Sequence, residues 1–149
     1  MIPDRPRRAR VRPPVHTPAG ETEFHLMAAN LLRQGVPPGG GFWFHVPNQG
    51  KRSKATAGLF KGMGLLAGVT DIVLVSGQPG GGGRVAFLEL KAKDAKGRDG
   101  KLSKAQEEFR DMCKALGVMW GEARTLEEVE AFAREFYAGA GLKFRASVQ

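Results

Sequence analysis

One cysteine in 149 residues, Cys113, leaves nothing for an intramolecular disulfide and cannot build a thiolate zinc cage. The three histidines, His16, His25 and His45, are scattered, with no spacing that suggests a metal-binding cluster. No apolar run approaches the length of a membrane-spanning helix. The basic N-terminus is not followed by the apolar segment of a secretory signal. These absences predict a cytoplasmic protein with no membrane partner. Acidic residues are also outnumbered, 15 against 23 Lys and Arg, which gives a net charge of +8 and a pI of 10.1. Lys and Arg neutralise phosphates and release condensed counterions, so this excess points to a polyanionic partner, foremost nucleic acid. A basic surface that binds nothing is the bland alternative. Charge does not separate DNA from RNA, or a binder from an enzyme.

What is present fits a single compact domain. Residues 1–16 are rich in Arg and Pro and lack periodicity, which predicts a basic arm able to lie along a phosphate backbone. Thr17-Pro18 reads as a helix start, with Glu21, Phe24, Ala28 and Leu31 on one stripe and an end near Gly35. Gly41–Pro47 is the first predicted strand. Asn48–Gly68 is glycine-rich and basic, so any helix within it is short and irregular. Its Asn48, Lys51, Arg52, Lys54 and Lys61 are candidate DNA contacts, although each alone reads more readily as a solvated polar side chain than as a specific contact. Strands at Thr70–Val75 and Arg84–Lys91 flank a loop with the run Gly80–Gly83, as antiparallel neighbours do. A helix from Ser103 through Leu116, a strand Val118–Glu122 and a helix from Leu126 to Tyr137 complete the domain. The tail 139–149 reads as loose. The order predicts an α/β domain with a mixed sheet, because the late helix allows a crossover to a parallel strand.

The hairpin carries charge where a strand should not. If it is symmetric about its glycine loop, Val75 lies opposite Val85 and Asp71 opposite Glu89. The two-residue period then puts Glu89 and Lys91 on the face of Val85 and Phe87. Two carboxylates and an ammonium meet at the open end. Like charges placed opposite each other destabilise a sheet, and neighbouring carboxylates do not both stay ionised unless a cation lies between them. A hard divalent ion, Mg2+ or Mn2+, would resolve the conflict, with Lys91 beside it to stabilise a phosphoryl transition state or orient water. The plainer reading is an ion pair closing a strand end.

Gln106 falls on the apolar stripe Leu102, Ala105, Phe109, Cys113 and Leu116. A buried amide needs partners, which a catalytic cluster would provide. Equally, Ser103 to Gln106 fits a capping box, with Gln106 reaching back to the Ser103 amide, and spacing alone leaves both readings open. Glu21 heads the apolar face of the first helix. It suits the helix dipole there, and near the strands it would be a third carboxylate.

The ordered set of Glu21, FHVPNQGKRS (Phe44–Ser53), KGMGLLAGVTD (Lys61–Asp71), FLELKAK (Phe87–Lys93) and LSKAQEEF (Leu102–Phe109) resembles the VRR-NUC (virus-type replication-repair nuclease) family of the PD-(D/E)xK nuclease superfamily. The resemblance runs from about Thr17 to Phe136. It implies a restriction-endonuclease-like αβββαβ core over residues 17–138. It implies that Asp71 and Glu89 are metal-binding acids, with the Leu90 carbonyl a further ligand and Mg2+ or Mn2+ the cofactor. Lys91 matches the catalytic lysine, Gln106 the glutamine of the following helix, and Glu21 the helix-borne acid. Thr70 departs from the common proline. His25 stands where glutamine is frequent, one turn from Glu21 and within hydrogen-bonding reach of it.

The activity implied is structure-specific cleavage of branched DNA such as Holliday junctions, by a homodimer without a nucleotide cofactor, in a bacterial cell or phage-infected host. An inactive nuclease-fold module that binds nucleic acid is the alternative, and the intact acids, lysine and glutamine argue against it. A small RNA-binding protein is favoured only by charge and lacks an RNP-like motif. A P-loop is excluded, since Gly80–Gly83 is followed by Arg84-Val85 and not by Lys-Ser/Thr.

Overall fold

The computed structural model describes residues 20–47, 53–93 and 96–148. Its elements in chain order are α1 (Glu21–Gly35), β1 (Gly41–His45), α2 (Lys54–Gly62), β2 (Ile72–Gly77), β3 (Gly83–Leu90), α3 (Lys104–Ala115), β4 (Met119–Ala123) and α4 (Leu126–Ala138). The strands form one mixed sheet in the order β1-β2-β3-β4, antiparallel twice and then parallel between β3 and β4. A parallel step needs a crossover, and α3 supplies it.

The two sheet faces follow from the period-two pattern of β3. Ala86, Leu88 and Leu90 point to the main core, where they meet Phe24, Ala28 and Leu32 of α1 and Val129, Ala133 and Phe136 of α4. Phe87, one residue out of phase, points to the opposite face and meets Phe109 of α3 edge-on, ring centres 5.0 Å apart. Helices thus cover both faces. The strands between them are apolar runs with few polar interruptions.

Val75 pairs with Val85 and Ile72 with Leu88, the hairpin register expected from symmetry. Element ends differ by a residue or two; β1 stops at His45 and β2 begins at Ile72. α1 begins at Glu21 with Gly20 at its N-cap and no side-chain cap bond; Thr17 and Pro18 lie outside the described residues. Leu116, placed on the apolar stripe of α3, is its exposed C-cap instead. α2 is short, capped by Ser53, and buries no residue.

The C-terminal tail corrects the expectation of a loose end. Phe144 is fully buried in the main core. The Arg145 N–H donates to the Gly35 carbonyl at 2.7 Å, and Arg134 of α4 donates to the carbonyls of Phe144 and Ala146. The segment docks because α1 ends in Gly35, where a Cβ would collide with the Phe144 ring. A glycine and a half-exposed arginine thus substitute for regular structure.

Candidate metal-dependent catalytic site

The hairpin ends at the Asp71–Glu89 position. Ile72 pairs with Leu88, so the next step outward places Asp71 opposite Glu89, and both carboxylates are buried. The Leu90 N–H donates to Asp71 Oδ2 at 2.9 Å. Gln106 Nε2 donates to Glu89 Oε1 at 2.6 Å, and Lys91 Nζ stands 3.6 Å from the same oxygen. The other oxygen, Glu89 Oε2, is buried with no hydrogen-bond partner. Burial first, and then the Asp71 charge, push the Glu89 carboxyl up to about 8, while Lys91 pulls it the other way.

The two readings of Gln106 hold together. Its Oε1 accepts the Ser103 N–H at 2.8 Å while the Ser103 hydroxyl accepts the Gln106 N–H, a complete capping box. That leaves the amide nitrogen aimed at Glu89. The first turn of α3 is brought this close by Gly68, whose φ is +82 and whose Cβ, if it had one, would strike the Ala105 carbonyl and lie 2.7 Å from the Gln106 nitrogen.

Histidines flank Asp71 on the other side, which sequence spacing gave no reason to expect. His45 Nδ1 lies 2.9 Å from the Asp71 carbonyl. The His25 ring meets the His45 ring edge-on at 5.7 Å. His25 Nε2 is 4.0 Å from Glu21 Oε1, beyond the hydrogen bond expected from their spacing, and 3.8 Å from Asp71 Oδ2. That nitrogen is buried and has no hydrogen-bond partner. The available signal was the end position of His45 on β1, one step from Asp71 once strands are paired.

Lys91 is held by a neighbour that spacing alone did not single out. Glu89 pairs with Glu122 in the parallel register, and two residues further on Lys91 falls beside Arg124. Arg124 pairs with Glu122, donates to the Gly100 carbonyl at 2.7 Å and lies 3.9 Å from Asp99. Gly100 in turn packs near the Lys91 stem. The repeated Glu-x-Lys and Glu-x-Arg of adjacent strands was visible in the sequence as Glu89-Leu90-Lys91 and Glu122-Ala123-Arg124.

Asp71, Glu89, Leu90, Lys91 and Gln106 are therefore gathered at one strand end. Glu21 is reached only through His25, and its side chain is more than half exposed. Lys54 and Lys61 lie exposed on α2 with no ion pair to an acid among the described residues. Asn48, Lys51 and Arg52 lie outside the described residues.

The donor set suits a hard cation. Among the described residues no three His, Cys, Asp or Glu side chains form a ligand cage, so two carboxylates and a main-chain carbonyl would leave most positions to water and phosphate oxygens, as Mg2+ prefers. The unpartnered Glu89 Oε2 and the raised Glu89 pKa are what a carboxylate pair shows when no cation divides it.

No known family model matches the sequence, and no curated protein is significantly similar to it. A solved structure described as a VRR_NUC domain protein is similar in fold, with a TM-score of 0.58 and 20% identity, covering 87% of this chain and 96% of that one. The chain is an α/β protein with a restriction-endonuclease-like core, and it has the fold of a VRR_NUC domain protein.

Proposed function

We propose that this protein is a metal-dependent, structure-specific DNA endonuclease that hydrolyses phosphodiester bonds, with branched DNA such as Holliday junctions as its substrate. The carrying observation is the Asp71–Glu89 pair at the open hairpin end, with Lys91 and Gln106 on the same Glu89 oxygen. The net charge of +8 supports a polyanionic substrate.

Asp71, Glu89 and the Leu90 carbonyl would hold Mg2+ or Mn2+, which when bound supplies Lewis-acid polarisation of the phosphate and a more acidic water. Gln106 fixes the Glu89 rotamer by its short hydrogen bond. The Leu90 N–H does the same for Asp71. Lys91, on the outer side of Glu89, stabilises the negative charge that builds on the phosphate as water adds. Arg124 keeps the loop at Gly100 against the Lys91 stem and so narrows the positions its ammonium can take.

A homodimer would suit paired incisions in a two-fold substrate. Phe42 and Val85, in one cross-strand row, and Phe44 in the next leave an apolar strip exposed on the sheet, which a second copy would cover. Light scattering in solution tests this, and a monomer at working concentrations would exclude it.

The activity test incubates labelled four-way junction, flap and linear duplex DNA with Mg2+, Mn2+ or EDTA, using wild type, Lys91→Ala and Asp71→Ala. Metal-dependent cutting of the junction by wild type alone is expected. Binding without cutting on every substrate and metal would favour a non-cleaving nucleic-acid-binding module. Cutting that survives both substitutions would remove the hairpin from the reaction.

A further inference from the structure

A cleft of about 320 Å³ runs between α1 and β1, beginning beside Asp71. Its near end holds His25, whose Nε2 is buried, unpartnered and 3.8 Å from Asp71 Oδ2. Its floor includes Trp43 and the exposed His45, with Pro47 and Leu26 at the sides. Its far end holds Arg33, whose guanidinium lies 5.8 Å from the centre of the Trp43 ring. Arg33 is exposed and has no carboxylate partner among the described residues. A cation in the last turn of α1 suits the carbonyl end of the helix, but that position does not require the guanidinium to cover an indole.

Aromatic rings with an unpaired cation are the means by which proteins hold single-stranded nucleic acid, since every base has a face to stack and every step carries a phosphate. Hydrocarbon ligands would not need Arg33, and a duplex is too wide for a space at the lower end of small-ligand pockets. His25 and Arg33 are eight residues apart on one helix, about 12 Å along its axis. The cleft is therefore longer than one nucleotide.

We infer that the α1–β1 cleft binds an unpaired DNA strand adjoining the scissile phosphate, with a base on the Trp43–His45 wall and a backbone phosphate on Arg33. This rests on the nuclease reading of the strand-end site and adds a reason for branched substrates. A flap, or a four-way junction whose pairs open at the branch point, offers such an unpaired segment next to the cut.

The chain has two tryptophans, Trp43 and Trp120, so Trp120→Phe protein reports on Trp43 alone. Titration with single-stranded oligothymidylate in EDTA, where nothing is cut, is expected to quench its fluorescence saturably, while blunt duplex does not. Arg33→Ala in that background, checked for an unchanged melting temperature, weakens binding about fivefold or more and lowers the log–log salt slope by about one. Binding seen by anisotropy without Trp43 quenching, or unchanged by Arg33→Ala, would put the strand elsewhere and leave the nuclease reading standing. No binding of any DNA, single-stranded or junction, would overturn both.

Discussion

Gln106 and Glu89 are joined by a 2.6 Å hydrogen bond made by an amide whose oxygen closes the capping box of α3. The same side chain starts a helix and orients an acid. Its two hydrogen-bonding ends are fixed by separate partners, so the amide cannot flip without losing both bonds.

Substitution of Gln106 therefore separates stability from electrostatics. Gln106→Ala removes the cap bond and the Glu89 bond and is expected to lower unfolding free energy by about 1–2 kcal/mol. Gln106→Glu keeps the reach to the Ser103 N–H but adds a like charge beside Glu89. Denaturant melts at pH 5 and pH 8 are expected to show a larger loss for Gln106→Glu at the higher pH. Equal losses at both would mean that the amide caps the helix and nothing more.

Glu89 gives the metal-free protein a pH dependence of definite sign. Its folded value of about 8 lies above its ordinary 4.5, so between these the folded chain binds a proton that the unfolded chain has released. Stability is full below the lower value and falls as pH rises through the window, at most by about 1.4 kcal/mol per pH unit. Thermal melts in EDTA should shift down from pH 5 to pH 8. The shift should flatten in Glu89→Gln, and Mg2+ or Mn2+ should offset it at pH 8. A wild-type profile no steeper than that of Glu89→Gln would rule out Glu89 as the source.

Gly68 can be tested against a glycine of similar backbone. Gly64 has a φ of +97 and open space around it, whereas Gly68 presses on the α3 backbone. Gly64→Ala should cost about 1–2 kcal/mol, the strain of the left-handed region alone. Gly68→Ala should cost clearly more and reduce DNA cleavage, because α3 must retreat and Gln106 with it. Equal melting temperatures for the two variants would contradict the close approach.

The tail should behave as core. Phe144→Ala is expected to cost about 3–5 kcal/mol, measured by denaturant unfolding, and a change under about 0.5 kcal/mol would show the segment to be dispensable.

The hairpin was legible because its register follows from symmetry about a glycine loop. Asp71, Glu89 and Lys91 could be placed together by counting. Gln106 was legible in both roles, yet only packing shows that the capping oxygen leaves the nitrogen free for Glu89. The approach of His25 to Asp71 was not legible, because it depends on how α1 lies across the sheet, a contact between elements far apart in sequence. The tail was misread for a related reason. Its anchoring partners, Gly35 and Arg134, belong to other elements, and neither carries a local signal of what it receives.

The parallel register of β3 and β4 has a consequence for how the fold is selected. It sets Glu89 beside Glu122 and, two residues out, Lys91 beside Arg124. A slip of two residues would bring Lys91 beside Glu122, an attraction that the native alignment forgoes. Opposing that slip is the packing of Phe132 on Gly121, where a Cβ would come within 2.5 Å of the ring, so no other residue of the strand can take that place unaltered. The charged end of the sheet is thus locally frustrated. An apolar contact on the buried face holds together a surface that its own charges would rearrange.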